Sequence, residues 1–403
     1  MHVDIKGSLR GTARGDLASE VMKSCVHCGM CNATCPTFEL TGDELDGPRG
    51  RIYLIKQALE GEPVSALTQH HLDRCLSCRA CETTCPSGVR YHALLDIGRE
   101  LVAEHVQRPR IDRIGRFAIR RLTSRPWALR ALIQVGRLLT AVLPETLKAK
   151  IPGKVAMRPT PLSAFARRMT LLRGCAQRAA APHINQANQR VFAAVGVTLD
   201  EDPQIGCCGA LDFHLDAVGQ ARARIKRNID ILVARLDRGD EAIIINASGC
   251  AAFIRDYPAI LADDAPYAAK ARRVSEALRD PVEILRETPP TPVRKPSREP
   301  IAVHTPCTLR NGTGLADAPA ALLKRLGYNT VAGGEPHMCC GSAGAYSLLQ
   351  PKMANQLRDR KLAILNDGTP AMIVTANIGC WLHLGGASAA PVRHWLEAVD
   401  DLI

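Results

Sequence analysis

Eight cysteines fall in two runs of identical spacing. The first is Cys25-x2-Cys28-x2-Cys31-x3-Cys35-Pro36, and the second is Cys75-x2-Cys78-x2-Cys81-x3-Cys85-Pro86. Thiolates are soft ligands that suit iron–sulfur clusters and zinc. Two-residue spacers turn the backbone tightly, so three sulfurs of one run can hold one [4Fe–4S] cube. In runs of this spacing the fourth cysteine ligates the other cluster of a pair. Cys25, Cys28, Cys31 and Cys85 are therefore expected on one cluster, and Cys75, Cys78, Cys81 and Cys35 on the second. Zinc ribbons take paired Cys-x2-Cys units, not two runs of four followed by proline.

The other eight cysteines form a repeat. One unit carries Cys175, Cys207-Cys208-Gly209 and Cys250; the next carries Cys307, Cys339-Cys340-Gly341 and Cys380. The first step is 32 residues in both units, and the last is 42 in one and 40 in the other. Free cysteine is commonly a buried structural residue, but a duplicated constellation points to one metal or cluster site per unit. No residue stands out as a catalytic acid, base or nucleophile. Asn377 and His383 lie near the second site and read as structural. Asn311-Gly312-Thr313-Gly314 lacks the last glycine of a dinucleotide loop and reads as a turn.

These side chains need elements to bring them together. Apolar runs at Met169–Leu172, Ala242–Ile245, Ile301–Val303 and Met372–Val374 each precede a lone cysteine and read as buried strands. Helical patterns such as His214–Leu236 and Pro351–Leu365 separate them, which predicts parallel α/β sheets. Ligands of such sheets gather beyond the carboxyl ends of the strands. Gly209, Gly249, Gly341 and Gly379 are expected to give tight turns beside the metal. The two N-terminal runs are separated by a glycine- and proline-rich loop at Gly42–Arg51, then a helix over Ile52–Leu59 stopped by Gly61. A second helix is expected over Tyr91–Arg99, and residues 1–20 read as a loose lead-in. This long helical interval favours an α-helical ferredoxin domain. Arg49 and Arg51 either balance anionic clusters or bind a partner, or are solvated loop charges.

With 403 residues and sixteen cysteines, the chain has room for several domains, and metal ligation in a reducing compartment fits it better than a disulfide scaffold. The residues from Met1 to Lys6 lack a signal pattern and no stretch is apolar enough to span a bilayer, so a cytoplasmic protein is expected. The formal charge is +12, offset in part by anionic clusters. At 4% aromatic residues there is little to stack on bases, which speaks against nucleic-acid binding. The basic residues concentrate between Leu101 and Arg173. There Arg116, Arg120 and Arg121 precede a break at Pro126, and Arg130, Gln134 and Arg137 share a helical face opposite Leu132, Val135, Leu139 and Val142. Such a helix either lies peripherally on an anionic membrane or, the reading given more weight, is a connector whose apolar face packs on the next domain. Pro152, Pro159 and Pro161 mark the linker.

The fold expected is α+β and multidomain: an α-helical ferredoxin domain with two [4Fe–4S] clusters over residues 1–105, a basic helical connector over 106–165, and tandem α/β cysteine-rich repeats over 166–290 and 298–403. Two ferredoxin runs followed by two Cys…Cys-Cys-Gly…Cys units resemble the cysteine-rich iron–sulfur proteins. That family includes iron–sulfur subunits of glycolate oxidase and anaerobic glycerol-3-phosphate dehydrogenase, lactate-utilisation proteins and heterodisulfide reductase subunits. Cys25-Val-His-Cys28-Gly, Gly42–Gln57, Cys85–His92 and Thr375–Cys380 most resemble the glycolate oxidase members. The resemblance implies an electron-transfer subunit. A partner subunit bearing flavin (FAD) would oxidise glycolate to glyoxylate, and this chain would relay the electrons to a quinone or other membrane acceptor. Lactate or glycerol 3-phosphate stay open as upstream substrates. In the heterodisulfide reductase subunits a fifth cysteine lies three positions after the last. Here those positions are Phe253 and His383, which counts against disulfide reduction and leaves a cubane cluster, zinc or a modified site open in each repeat.

Overall fold

The computed structural model describes residues 1–144, 148, 151–160 and 164–403. Pro161 of the expected linker lies outside the described residues. The regular elements of residues 1–105 are all helical, with no strand. Helix Pro48–Leu59 begins four residues before the expected Ile52, because Pro48 at its first position has no amide hydrogen to leave unpaired. It crosses helix Tyr91–His105 closely: a Cβ on Gly98 would sit 2.6 Å from Ile55. Met22, Ile55, Leu59, Leu72, Leu94 and Leu95 fill the core between these helices and helix Ala13–Ser24. The lead-in is more ordered than the sequence suggests, since Thr12 accepts the Gly15 amide and caps helix Ala13–Ser24.

The second half contains two sheets of the same construction. In the first, β1 (Arg167–Leu171), β2 (Val197–Glu201), β3 (Ile243–Ile244) and β4 (Leu278–Arg279) run in the order β2-β1-β3-β4. In the second, β5 (Ile301–His304), β6 (Thr330–Ala332), β7 (Met372–Thr375) and β8 (Val392–His394) run in the order β6-β5-β7-β8. Every pairing is parallel. The units share one apolar core that joins Met169, Leu171 and Ile244 to Val374, Trp395 and Leu396. Arg190 ties to Asp400 at 2.6 Å across it.

The basic connector overturns the more heavily weighted expectation. It forms helices Arg110–Thr123 and Pro126–Leu138, whose large apolar side chains are mostly left exposed while an arginine of the first turns inward. Arg116 is buried and pairs with Asp73 at 2.9 Å. Arg130 donates to the Arg178 carbonyl and Arg137 to the Pro152 carbonyl. Ile111, Ile114, Phe117, Trp127, Leu138 and Val142 face outward; Trp127 is 69% exposed and Leu138 83%.

The ferredoxin part docks on both units. On the first, Arg79 and His92 converge on Asp256, with His92 Nε2 3.3 Å from its carboxylate and Nδ1 2.8 Å from Glu82. On the second, Arg360 reaches Glu39 at 2.9 Å and Asn311 Nδ2 donates to the Cys78 carbonyl at 2.8 Å. Burial works against charge on His92 and Arg79 repels it, but Asp256 and Glu82 outweigh both and raise its pKa to about 9. A folded pKa above the unfolded value of 6.5 gives stability that is fully present below pH 6.5 and is lost as pH rises through 9. Thermal melting followed between pH 6 and 10 should therefore show destabilisation on the alkaline side, and His92→Gln should flatten that slope.

Candidate iron–sulfur centres

The backbone repeats its strain in both cysteine runs. His27 and Gly29 flank Cys28 with φ of 58° and 86°, and Ser77 and Arg79 flank Cys78 with φ of 52° and 59°. Left-handed conformations cost non-glycine residues energy and persist where the surroundings impose them. Here they turn successive sulfurs toward one point.

Two cavities result. One is lined by Cys25, Cys28, Cys31, Cys81 and Cys85; the other is lined by Cys35, Cys75, Cys78 and Cys81. The strongest sulfur neighbours of the shared Cys81 lie in the second cavity. Burial, then Cys25, Cys85 and Cys28, push the Cys31 thiol up to about 11. Cys81 is pushed well up by burial and by Cys78, Cys75 and Cys35. Each cavity thus gathers three sulfurs from one run and the fourth from the other, a donor set that fits a cubane cluster. Bringing so many buried thiols together is unfavourable for their ionised forms, and ligation by metal is what displaces the protons.

The second cavity has buried polar support. Arg51, fully buried, donates through Nε to the His71 carbonyl at 2.8 Å and through Nη1 to Thr37 Oγ1 at 3.1 Å. It lies 3.6 Å from Asp46. Burial opposes its charge, yet Cys75, Tyr91, Cys35 and Asp46 raise its pKa. Of the two arginines, Arg51 serves the second cavity, while Arg49, its side chain 43% exposed, pairs with Glu44 and also lines the first cavity. Tyr91 Oη and the Ser77 amide approach Cys75 Sγ at 3.8 and 3.4 Å, and hydrogen bonds to sulfur tune cluster potential. Tyr91→Phe should shift the potential of the second cluster downward, measured by redox titration of the reduced-cluster signal.

Each repeat brings its four cysteines together beyond the strand ends. All sixteen cysteines are free. In the first repeat Cys175 Sγ lies 3.3 Å from Cys207 Sγ, and Cys250 stands against Cys208. In the second, Cys307 and Cys339 are 3.8 Å apart and Cys340 and Cys380 3.3 Å apart. Gly209 and Gly341 take the expected left-handed turns. Gly249 and Gly379 instead begin helices, and Gly379 is needed for closeness, because a Cβ there would lie 2.8 Å from Ser342 Oγ. The place of a fifth cysteine is filled in the first repeat by Phe253, packed edge-on to Tyr257 and against Phe213. In the second, His383 bonds the Ala354 carbonyl.

Three features go beyond the sequence reading. Asn377 joins the two repeats, accepting the Gly249 amide at 3.3 Å and approaching Cys380 Sγ at 3.6 Å. Asn311 belongs to a π-helical turn, Thr308–Gly312, and not to the simple turn expected. His304 lies among the cysteines of the second repeat; its place three residues before Cys307 was the available signal.

Comparison with known proteins follows the same outline. The 4Fe-4S dicluster domain matches residues 21–89, and the cysteine-rich domain matches residues 169–255 and again 301–385. Over its whole length the chain is 48% identical to the glycolate oxidase iron-sulfur subunit of Escherichia coli (strain K12), covering 99% of that protein. The chain belongs to the glycolate oxidase iron–sulfur subunit family. A probable glycolate oxidase iron-sulfur subunit of Bacillus subtilis (strain 168) is 30% identical over 90% of this chain and 88% of its own length. Lactate utilization protein A of Bacillus velezensis shares 25% identity over 51% of this chain and 84% of its own length. In this member of the glycolate oxidase iron–sulfur subunit family, the second ferredoxin cavity abuts the second repeat. Leu76, Cys78 and Ala80 pack with Met338, Cys339 and Tyr346, with Cys307 against them, so two sulfur-rich sites share one buried wall.

Proposed function

We propose that this chain is the electron carrier of a glycolate-oxidising complex. A flavin-bearing partner takes the hydride from glycolate, and the chain passes the electrons singly toward a quinone-type acceptor. Cys25, Cys28, Cys31 and Cys85 hold one [4Fe–4S] cluster; Cys75, Cys78, Cys81 and Cys35 hold the other. Cys175, Cys207, Cys208 and Cys250, and Cys307, Cys339, Cys340 and Cys380, serve further metal centres. When bound, the clusters supply one-electron storage at separated points. The protein sets their distance, excludes water and places Arg51, Tyr91 and the backbone amides against the sulfurs. The observation that carries this reading is the shared wall between Cys78 and the Cys307–Cys339 pair, which supports a relay from the ferredoxin clusters into the second repeat. Residues 1–105, 106–165, 166–290 and 298–403 are taken as the working parts of that relay. Its test is reconstitution: the isolated chain should show no glycolate oxidation, and adding the flavoprotein should restore it together with cluster reduction. Glycolate oxidation by the flavin-free chain alone refutes the division of labour.

The outward face of the connector supports a peripheral site on the cytoplasmic membrane surface. No described helix is long and apolar enough to cross a membrane. Exposed Ile111, Ile114, Phe117, Trp127, Leu138 and Val142, flanked by Arg113, Arg121 and Arg125, form the apolar-and-basic pattern of an interfacial segment. Binding to anionic vesicles should blue-shift Trp127 fluorescence and weaken in high salt. Unchanged emission, with the protein left in the supernatant, speaks for a protein partner on this face.

A further inference from the structure

The two repeats are built alike, yet one side chain sets their sites apart. β5 ends at His304, three residues before Cys307; three residues before Cys175 the first repeat has Leu172, a buried member of its apolar core. His304 is buried at 5% exposure. One of its ring nitrogens belongs with the Cys340 and Cys380 sulfurs to a group whose atoms all lie within 4.8 Å of one another. In the β5–β7 register Thr375 stands opposite His304, and its Oγ1 lies 2.9 Å from Nδ1. That partner orients the ring and leaves Nε2 for a ligand, the arrangement common to metal-bound histidines. A histidine kept only for packing is poorly explained, because leucine fills the same position in the sister fold.

We infer that the metal centre of the second repeat is bound through both sulfur and nitrogen, with His304 as a ligand beside Cys340 and Cys380, whereas the first repeat offers sulfur alone. This rests on the reading that the cysteines of the second repeat hold metal. A neutral imidazole in place of a thiolate makes a centre less negative and raises its potential, as histidine does in other iron–sulfur sites. Where the centres are iron–sulfur clusters, the two repeats hold electrons at different potentials, and the second repeat, which adjoins the ferredoxin clusters, is the more readily reduced.

The test compares the wild-type protein, His304→Leu, His304→Gln and Cys340→Ser, purified without oxygen within the complex. Iron, zinc and sulfide are measured per chain, with pulsed paramagnetic resonance of the reduced protein grown with natural or ¹⁵N-histidine. Wild type should show a nitrogen coupling that changes with the label, and both His304 variants should lose it. His304→Leu should also lower the potential of that centre or lose its metal, while the ferredoxin signals remain. If the metal is zinc, the same loss is read at the zinc absorption edge as one nitrogen at about 2.0–2.1 Å. A paramagnetic centre without labelled nitrogen, a zinc edge without a nitrogen ligand, or a His304→Leu protein with unchanged spectrum and metal content overturns the inference while leaving metal in the repeat. Unchanged metal in Cys340→Ser means that the repeat holds none, and then the underlying reading falls with the inference.

Discussion

Cys85→Ser is expected to abolish the cluster of the first run and spare that of the second, although Cys85 belongs to the second run by sequence. The cavity of Cys25, Cys28 and Cys31 is closed by Cys85, whose charge acts directly on Cys31. Cys35 lies in the opposite cavity, near Cys75, Cys78 and Cys81. Serine is a poor ligand to iron, so each variant should lose about four irons, one cube's worth. The pairing of phenotypes separates interleaved from local ligation. Cys85→Ser should match Cys28→Ser in its remaining paramagnetic signal, and Cys35→Ser should match Cys78→Ser. A Cys85→Ser spectrum that matches Cys75→Ser instead means that each run ligates its own cube. Turnover of the complex should vanish in all five, because a relay missing one station does not conduct.

The second large effect is expected at Arg51. Arg51→Leu leaves Asp46 buried beside His71 and Arg74 with one cation fewer, and strips Thr37 and the His71 carbonyl of their donor. Breaking a buried pair by removing one partner costs about 3–5 kcal/mol. Arg74 stays 2.6 Å from Asp46, which places the expected loss at the lower end, about 3 kcal/mol. The guanidinium also lies against the sulfurs of Cys75 and Cys35, so its removal should lower the potential of the second cluster. Urea unfolding followed by the visible cluster absorbance measures the first effect and redox titration the second. Arg49→Leu is the control: its side chain is exposed and bonded at the surface, so its effect should stay within about 0.5 kcal/mol.

The two arginines also mark where the sequence stops being legible. They sit two residues apart in one glycine-rich stretch, and nothing in that stretch says which one turns inward. That follows from the helix starting at Pro48, which sets Arg51 on its buried face. The cysteine runs were legible because ligand spacing is a local property of the chain. The central strands β1, β3, β5 and β7 were legible because both of their faces are covered and they read as continuous apolar runs. β2, β4, β6 and β8 are the sheet edges. They carry polar residues such as Asp200, Glu201 and Arg393, so no apolar run announces them. The connector was misread for another reason. Its amphipathic period is plain, but periodicity does not say which face meets the protein, and Asp73, Asp112 and Asp216 decide that by drawing in Arg108 and Arg116. His304 lies in an apolar strand, where a lone histidine reads as core until the fold brings Cys340 and Cys380 beside it.

The central claim is that electrons from glycolate enter this chain. The most direct test is to purify the protein with its partners from its own cells without oxygen, add glycolate, and record the paramagnetic signal of reduced clusters. The account predicts a signal with glycolate, none with lactate or glycerol 3-phosphate, and loss of that signal in Cys85→Ser for the first cluster alone. Silence with glycolate and a full signal with one of the other two donors contradicts it and moves the chain to a different upstream oxidation.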